Sequence, residues 1–199
     1  THGETGMALA DWYRSLHAAG RRALKDPLWL QLGVQPWVAA ITPSSLDKAG
    51  AAFKLENEPA WKAAVEHAPT LVTKYLAMPQ TFNYNDFAAE NLALSRLGGR
   101  SLRAIVFDYD CFSTGVAYSD WRNVMFSLQG EAKEAFREGY GTLSDIEAIL
   151  DQALDTLYGL VVASQRNSTP RWVIPLVESV TNGIFQRQVQ AALEIIGQG

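Results

Sequence analysis

Apolar residues recur at helical spacing over most of the chain and at strand spacing in one central stretch. Over residues 4–19, Met7, Leu9, Ala10, Tyr13, Leu16 and His17 share one side of a helix. Thr1 with Glu4 makes a capping box at its start, and Gly20 reads as its end. Residues 21–42 are punctuated by Trp29, Pro36 and Trp37 and read as a short helix plus loop. Pro43-Ser44-Ser45 opens a helix to about Lys54, Pro59 suits the first turn of another running to His67, and Pro69 opens a further one to about Ala77. After Met78-Pro79 the texture changes. Thr81 to Tyr84 reads as extended, and Leu92 to Ser95 and Leu102 to Phe107 read as two apolar strands joined through Gly98-Gly99, which supplies the positive φ of a hairpin turn. The helical period returns after Gly115, over Asp120 to Leu128, Glu131 to Tyr140, Ser144 to about Arg166 (with Ser144 and Glu147 a second capping box) and Trp172 to Ile196. The fold class expected is mainly α with a small β-hairpin, an α+β arrangement occupying residues 1–199 as a single domain.

Composition narrows the function classes. The 199 residues are 48% hydrophobic and 19% charged, with 17 Lys+Arg against 21 Asp+Glu and a net charge of −4, an ordinary globular balance. Without a Lys/Arg cluster, this charge argues against nucleic acid as a partner. The longest apolar runs reach about six residues, near Tyr158 to Ala163, against the ~20 needed to span a bilayer. The first residues show no basic-then-apolar signal pattern, so a cytoplasmic location is expected. One cysteine, Cys111, excludes a disulfide framework and a thiolate cluster, and no histidine is placed to activate it, so it reads as a buried thiol. His2, His17 and His67 lack metal-ligand spacing; His17, on an apolar helix face, reads as a packed, hydrogen-bonded residue. Trp12, Trp61, Trp121 and Trp172 read as core, and Asp145, Asp151 and Asp155 as a solvated face.

The polar residues around the hairpin are arranged differently. Asp86 and Asn91 lie in the loop before the first apolar strand, and Asp108 and Asp110 follow the second. Because a hairpin folds the chain back, Asp108 is expected beside Asn91 across 17 positions of sequence. One amide and two or three carboxylates converging there make an oxygen-rich site suited to Mg²⁺ and unsuited to zinc. A capped turn is the competing reading for Asp86 and Asn91, and a solvated role for Asp110.

This order of motifs resembles the catalytic half of the aminoglycoside phosphotransferase and choline kinase family, which has a protein-kinase-like fold. The family's His-Gly-Asp-x-x-x-x-Asn loop corresponds to Tyr84-Asn85-Asp86-Phe87-Ala88-Ala89-Glu90-Asn91, its metal motif to Phe107-Asp108-Tyr109-Asp110, and its downstream Asp to Tyr118-Ser119-Asp120. The helix from Met7 to Gly20, with Leu16-His17-Ala18, resembles the one that begins the family's C-terminal lobe. The resemblance implies a C-terminal, catalytic lobe that moves the γ-phosphate of ATP to a hydroxyl of a small metabolite or aminoglycoside-like acceptor. It implies Asp86 as general base, Asn91 and Asp108 as Mg²⁺ and nucleotide ligands, Asp110 as a further metal contact, and Tyr84 and Asp120 as supports of the catalytic loop. Tyr84 stands where the family has His, and Ala88-Ala89 where His-Pro is usual. These departures motivate an alternative, a non-catalytic, pseudokinase-like binding or regulatory module on the same fold. A chance motif in an unrelated helical protein would leave Asp86, Asn91 and Asp108 apart. The glycine loop and lysine that such a transfer needs are absent: no G-x-G-x-x-G or G-x-x-x-x-G-K-[ST] occurs, and Lys25, Lys48, Lys54, Lys62, Lys74 and Lys133 sit in expected helices or loops. An N-terminal nucleotide-binding lobe outside this chain is therefore the expected partner, with the lobe alone inactive.

Overall fold

The computed structural model describes residues 2–31, 33–96 and 102–197. Thr1 and Gly98-Gly99, expected as a cap and a hairpin turn, lie outside the described residues. The fold is mainly helical, with a small antiparallel β region of two two-stranded sheets. Its contacts divide into two compact units, Thr1–Gln35 with Pro79–Ser144, and Pro36–Met78 with Asp145–Gly199. No described helix is long and apolar enough to cross a membrane.

The first unit holds the β region. Helix α1 (His2–Ala23) buries Leu9, Ala10, Tyr13 and His17 along one face. It passes through Gly20, which the sequence reading took as its end. A Cβ at Gly20 would lie 2.2 Å from the Phe82 amide nitrogen, so this glycine serves close packing and not capping. A short α2 (Pro27–Gln31) follows. Strand β1 (Thr81–Asn83) pairs antiparallel with β4 (Ser113–Gly115), and β2 (Leu92–Ser95) with β3 (Arg103–Val106) in the register Leu92↔Val106. The second pair is the expected hairpin; the first adds a sheet that Ser113-Thr114-Gly115 is too short and too polar to announce. Helices α5 (Ala117–Ser127) and α6 (Gly130–Tyr140) complete the unit, α6 ending at Gly141 with φ 93°. Its core gathers Leu9, Tyr13, Tyr84, Val106, Val124 and Phe136.

The second unit is helical among its described residues. Its helices are α3 (Pro43–Phe53), α4 (Pro59–Leu76), α7 (Asp145–Ser164), α8 (Ile174–Thr181) and α9 (Ile184–Gly197). Pro69 does not start a new helix but lies inside α4. Its ring costs about 3 kcal/mol in a helix interior, yet Ala64, Ala68, Leu71 and Tyr75 continue one buried face across it. The stretch read as one helix from Trp172 to Ile196 breaks at Asn182-Gly183, where Gly183 has φ 81° and the Asn182 side chain accepts from the Ile184 N–H. Trp172 is exposed, not core. Asp151 is fully buried instead of solvated: the Tyr75 hydroxyl donates to it (3.4 Å) and itself accepts from Trp37 Nε1 (2.9 Å). Periodicity alone could not distinguish an acid on an outer face from one with a buried phenol as partner.

Candidate functional site

Every candidate residue lies in the first unit, all but Asp120 on the connections at the ends of its short strands. The loop after β1 begins with Tyr84, whose side chain is buried, and Asn85, whose φ of 59° is left-handed. Asparagine tolerates that conformation better than most residues because its short polar side chain finds local partners. Here Asn85 Nδ2 donates to Ser113 Oγ (2.6 Å), and the Asn85 carbonyl accepts from Asn123 Nδ2 (2.9 Å). The two backbone N–H groups point at one carboxylate. Tyr84 N lies 3.0 Å from both oxygens of Asp120, and Asn85 N lies 2.8 Å from its Oδ1.

Asp120 is fully buried in the first turn of α5, where the helix dipole favours a negative charge. Its Oδ2 also lies 2.9 Å from His17 Nε2, and His17 Nδ1 lies 2.6 Å from the Tyr140 hydroxyl. Asp120 thus gathers the loop backbone and α1 onto one anion. Asp86 follows the two clamped residues directly, half-buried.

Asn91 faces Asp86 from the end of a 3₁₀ turn, Ala89–Asn91. Its Nδ2 lies 3.3 Å from Asp86 Oδ2 and 3.3 Å from the Asp86 carbonyl. The Phe107 N–H donates to the Asn91 carbonyl (2.9 Å), continuing the β2–β3 ladder one step and putting Asp108 next to Asn91. Asp108 also has a left-handed φ of 59°, is exposed, and accepts from the Asp110 N–H at 3.4 Å. Asp110, Glu90 and Cys111 are exposed; the thiol is not buried, because the Asp108–Cys111 segment turns outward from β3.

Tyr84 marks how near the three candidates are to one another. Its hydroxyl donates to the Phe107 carbonyl (2.5 Å), and its ring meets Trp12 and Tyr109 edge-on. Burial, above all, pushes the phenol up to about 12; the charges of Asp86 and Asp108 push the same way, and a hydrogen bond with the Asn91 side chain opposes them. All three candidates thus act on the ionisation of one phenol, with Asn91 bonded to Asp86 and set beside the Asp108 turn.

The donor set suits a small hard cation. With Asn91 Nδ2 turned to Asp86, the amide oxygen Oδ1 faces away from it, and the Asp108 carboxylate is open to solvent. Among the described residues no three of His, Cys, Asp and Glu come together as a metal cage. An ion held here would rest on an amide oxygen and a carboxylate, with water and ligand oxygens filling its shell, as Mg²⁺ accepts and Zn²⁺ does not.

Sequence reasoning identified Asp86, Asn91, Asp108 and Asp120 but assigned no functional part to His17, Tyr140, Ser113 or Asn123. His17 carried the one available signal, a polar group on an apolar helix face that must find buried partners. Comparison of this chain with protein-family models, with curated proteins and with solved structures gave no match.

Proposed function

We propose that this chain is the catalytic lobe of an ATP- and Mg²⁺-dependent phosphotransferase of the protein-kinase-like type, similar to the aminoglycoside phosphotransferase and choline kinase family, working in the cytoplasm on a small-molecule hydroxyl. The observation that carries the reading is the grouping of the Asn91 amide on Asp86 with Asp108 next to Asn91 across the strand pair.

Phosphoryl transfer asks mainly for positioning and charge neutralisation. Asp86 accepts the proton of the acceptor hydroxyl, with the Asn91 amide fixing its carboxylate from the side. Asn91 Oδ1 and Asp108 would hold Mg²⁺, with Asp110 on the same segment, and the ion would supply charge neutralisation for the ATP phosphates. Tyr84 and Asp120 keep the loop in register. Ile105 on β3 and Phe107 just after it present exposed apolar side chains next to the Asn91–Asp108 pair, a surface suited to a planar base. The phosphate-covering glycine loop and its lysine do not occur in these 199 residues and fall to the N-terminal lobe of the same protein.

The test is a phosphotransfer screen of the intact gene product with ATP and Mg²⁺ across aminoglycosides, choline-like alcohols, amino-acid alcohols and sugars. A phosphorylated acceptor, lost in Asp86→Asn, is the expected outcome. Mg²⁺-dependent nucleotide binding without any product would replace this reading by the non-catalytic module, and neither binding nor product would overturn both.

A further inference from the structure

The reading of Asp86 as proton acceptor leaves open what holds its loop in place, and here the buried interior of the first unit is informative. An ionised Asp120 can only accept hydrogen bonds. Its Oδ2 lies 2.9 Å from His17 Nε2, so that nitrogen must carry the proton. In the neutral imidazole the other nitrogen, Nδ1, is then an acceptor. Nδ1 lies 2.6 Å from the Tyr140 hydroxyl, which donates to it and so selects the tautomer Asp120 requires.

Tyr140 reaches His17 because α1 and α6 pack closely. A Cβ at Gly6 would lie 2.1 Å from the Ala132 carbonyl oxygen, so only glycine allows that approach. The Tyr140 ring rests against Phe136 and edge-on to His17. On the far side of the array, Asp120 receives the N–H groups of Tyr84 and Asn85, the two residues before Asp86. A continuous chain of hydrogen bonds thus runs from the end of α6 to the base of the catalytic loop.

We propose that Tyr140 is a positioning residue for Asp86, acting through His17 and Asp120 on the Tyr84-Asn85 backbone. The proposal rests on the assignment of Asp86 above. The part of Tyr140 is to keep one imidazole tautomer, and through it one carboxylate orientation, so that the loop spends its time in the reactive geometry.

Tyr13 provides an internal control. Its side chain is fully buried where that of Tyr140 is half-buried, its ring lies 5.9 Å from that of His17, and its hydroxyl has no hydrogen-bond partner. The experiment compares Tyr140→Phe with Tyr13→Phe in the intact gene product. Amide hydrogen exchange is read at Tyr84 and Asn85, and kcat and KM for ATP are read with whichever acceptor the screen identifies. In Tyr140→Phe, exchange at both amides should accelerate about tenfold and kcat fall about tenfold with KM for ATP unchanged; in Tyr13→Phe neither should move. Unchanged exchange in Tyr140→Phe overturns the proposal, as does equal acceleration in both variants. Acceleration confined to Tyr140→Phe in a protein that transfers no phosphate supports the link to the loop and overturns the assignment of Asp86 alone.

Discussion

Two turns flank the candidate site, and each contains a non-glycine residue with φ 59°, Asn85 in one and Asp108 in the other. They are held in opposite ways. The Asn85 turn is tied by its own N–H and that of Tyr84 to buried Asp120, by its side chain to Ser113, and by its carbonyl to Asn123. The Asp108 turn is exposed, and its side chain accepts one long contact from the Asp110 N–H at 3.4 Å. A left-handed backbone costs an ordinary residue about 1–2 kcal/mol. Around Asn85 the surrounding bonds offset that cost. At Asp108 one long bond does so only weakly, and strain on an exposed acid is the pattern expected where a ligand completes the structure. The contrast fits the two proposed roles. A proton acceptor must be aimed before substrate arrives, whereas a metal-holding carboxylate can be drawn into place by the ion.

The largest effect should come from removing the anchor of the tied turn. Asp120→Ala strips the acceptor from two backbone amides and from His17 in a fully buried site, and should destabilise the fold by about 3–5 kcal/mol in urea unfolding. A loss below 1 kcal/mol would mean that the turn holds itself. Asp86→Asn is expected to do the reverse, lowering turnover of the intact protein by about 10²–10⁴ while leaving the unfolding midpoint within error.

The two strained residues themselves sharpen the comparison. Asn85→Ala should cost about 1–2 kcal/mol, because it keeps the unfavourable φ and loses the bond to Ser113. Asp108→Gly should leave stability unchanged or raise it by up to about 1 kcal/mol, since glycine adopts positive φ freely, while Mg²⁺-dependent nucleotide binding is lost. If both substitutions destabilised alike, the proposed difference between the turns would fail.

The smallest effect concerns Tyr84 at high pH. Its phenol is pushed up to about 12 from an ordinary value near 10, so the folded chain keeps a proton that the unfolded chain releases first. The associated stability is complete below pH 10 and is lost as pH rises through 12. Unfolding curves across that interval should be shallower in Tyr84→Phe than in the wild type. An identical slope would remove this phenol from the account.

The parts of the molecule legible in the sequence are those whose signal is local. Leu92 to Ser95 and Leu102 to Phe107 declare a hairpin by their apolar runs, and a hairpin places Asp108 beside Asn91 by geometry alone. The order Asp86, Asn91, Asp108, Asp120 was readable for the same reason. What stayed hidden depends on partners distant in the chain. The Asp120 carboxylate sits 103 positions from His17, which bonds 123 positions away to Tyr140. The burial of Asp151 likewise needs Tyr75 and Trp37, and the continuity of α4 through Pro69 needs the packing on its buried face. The exposure of Cys111 follows from an outward turn that no periodicity announces.

The most direct measurement is amide hydrogen exchange in the intact gene product at residues 84–86 and 108–111, with and without ATP and Mg²⁺. The account predicts that Tyr84 and Asn85 are protected in both conditions, and that residues 108–111 exchange rapidly until ATP and Mg²⁺ together slow them. Residues 108–111 exchanging at the same rate with and without ATP and Mg²⁺ would contradict it.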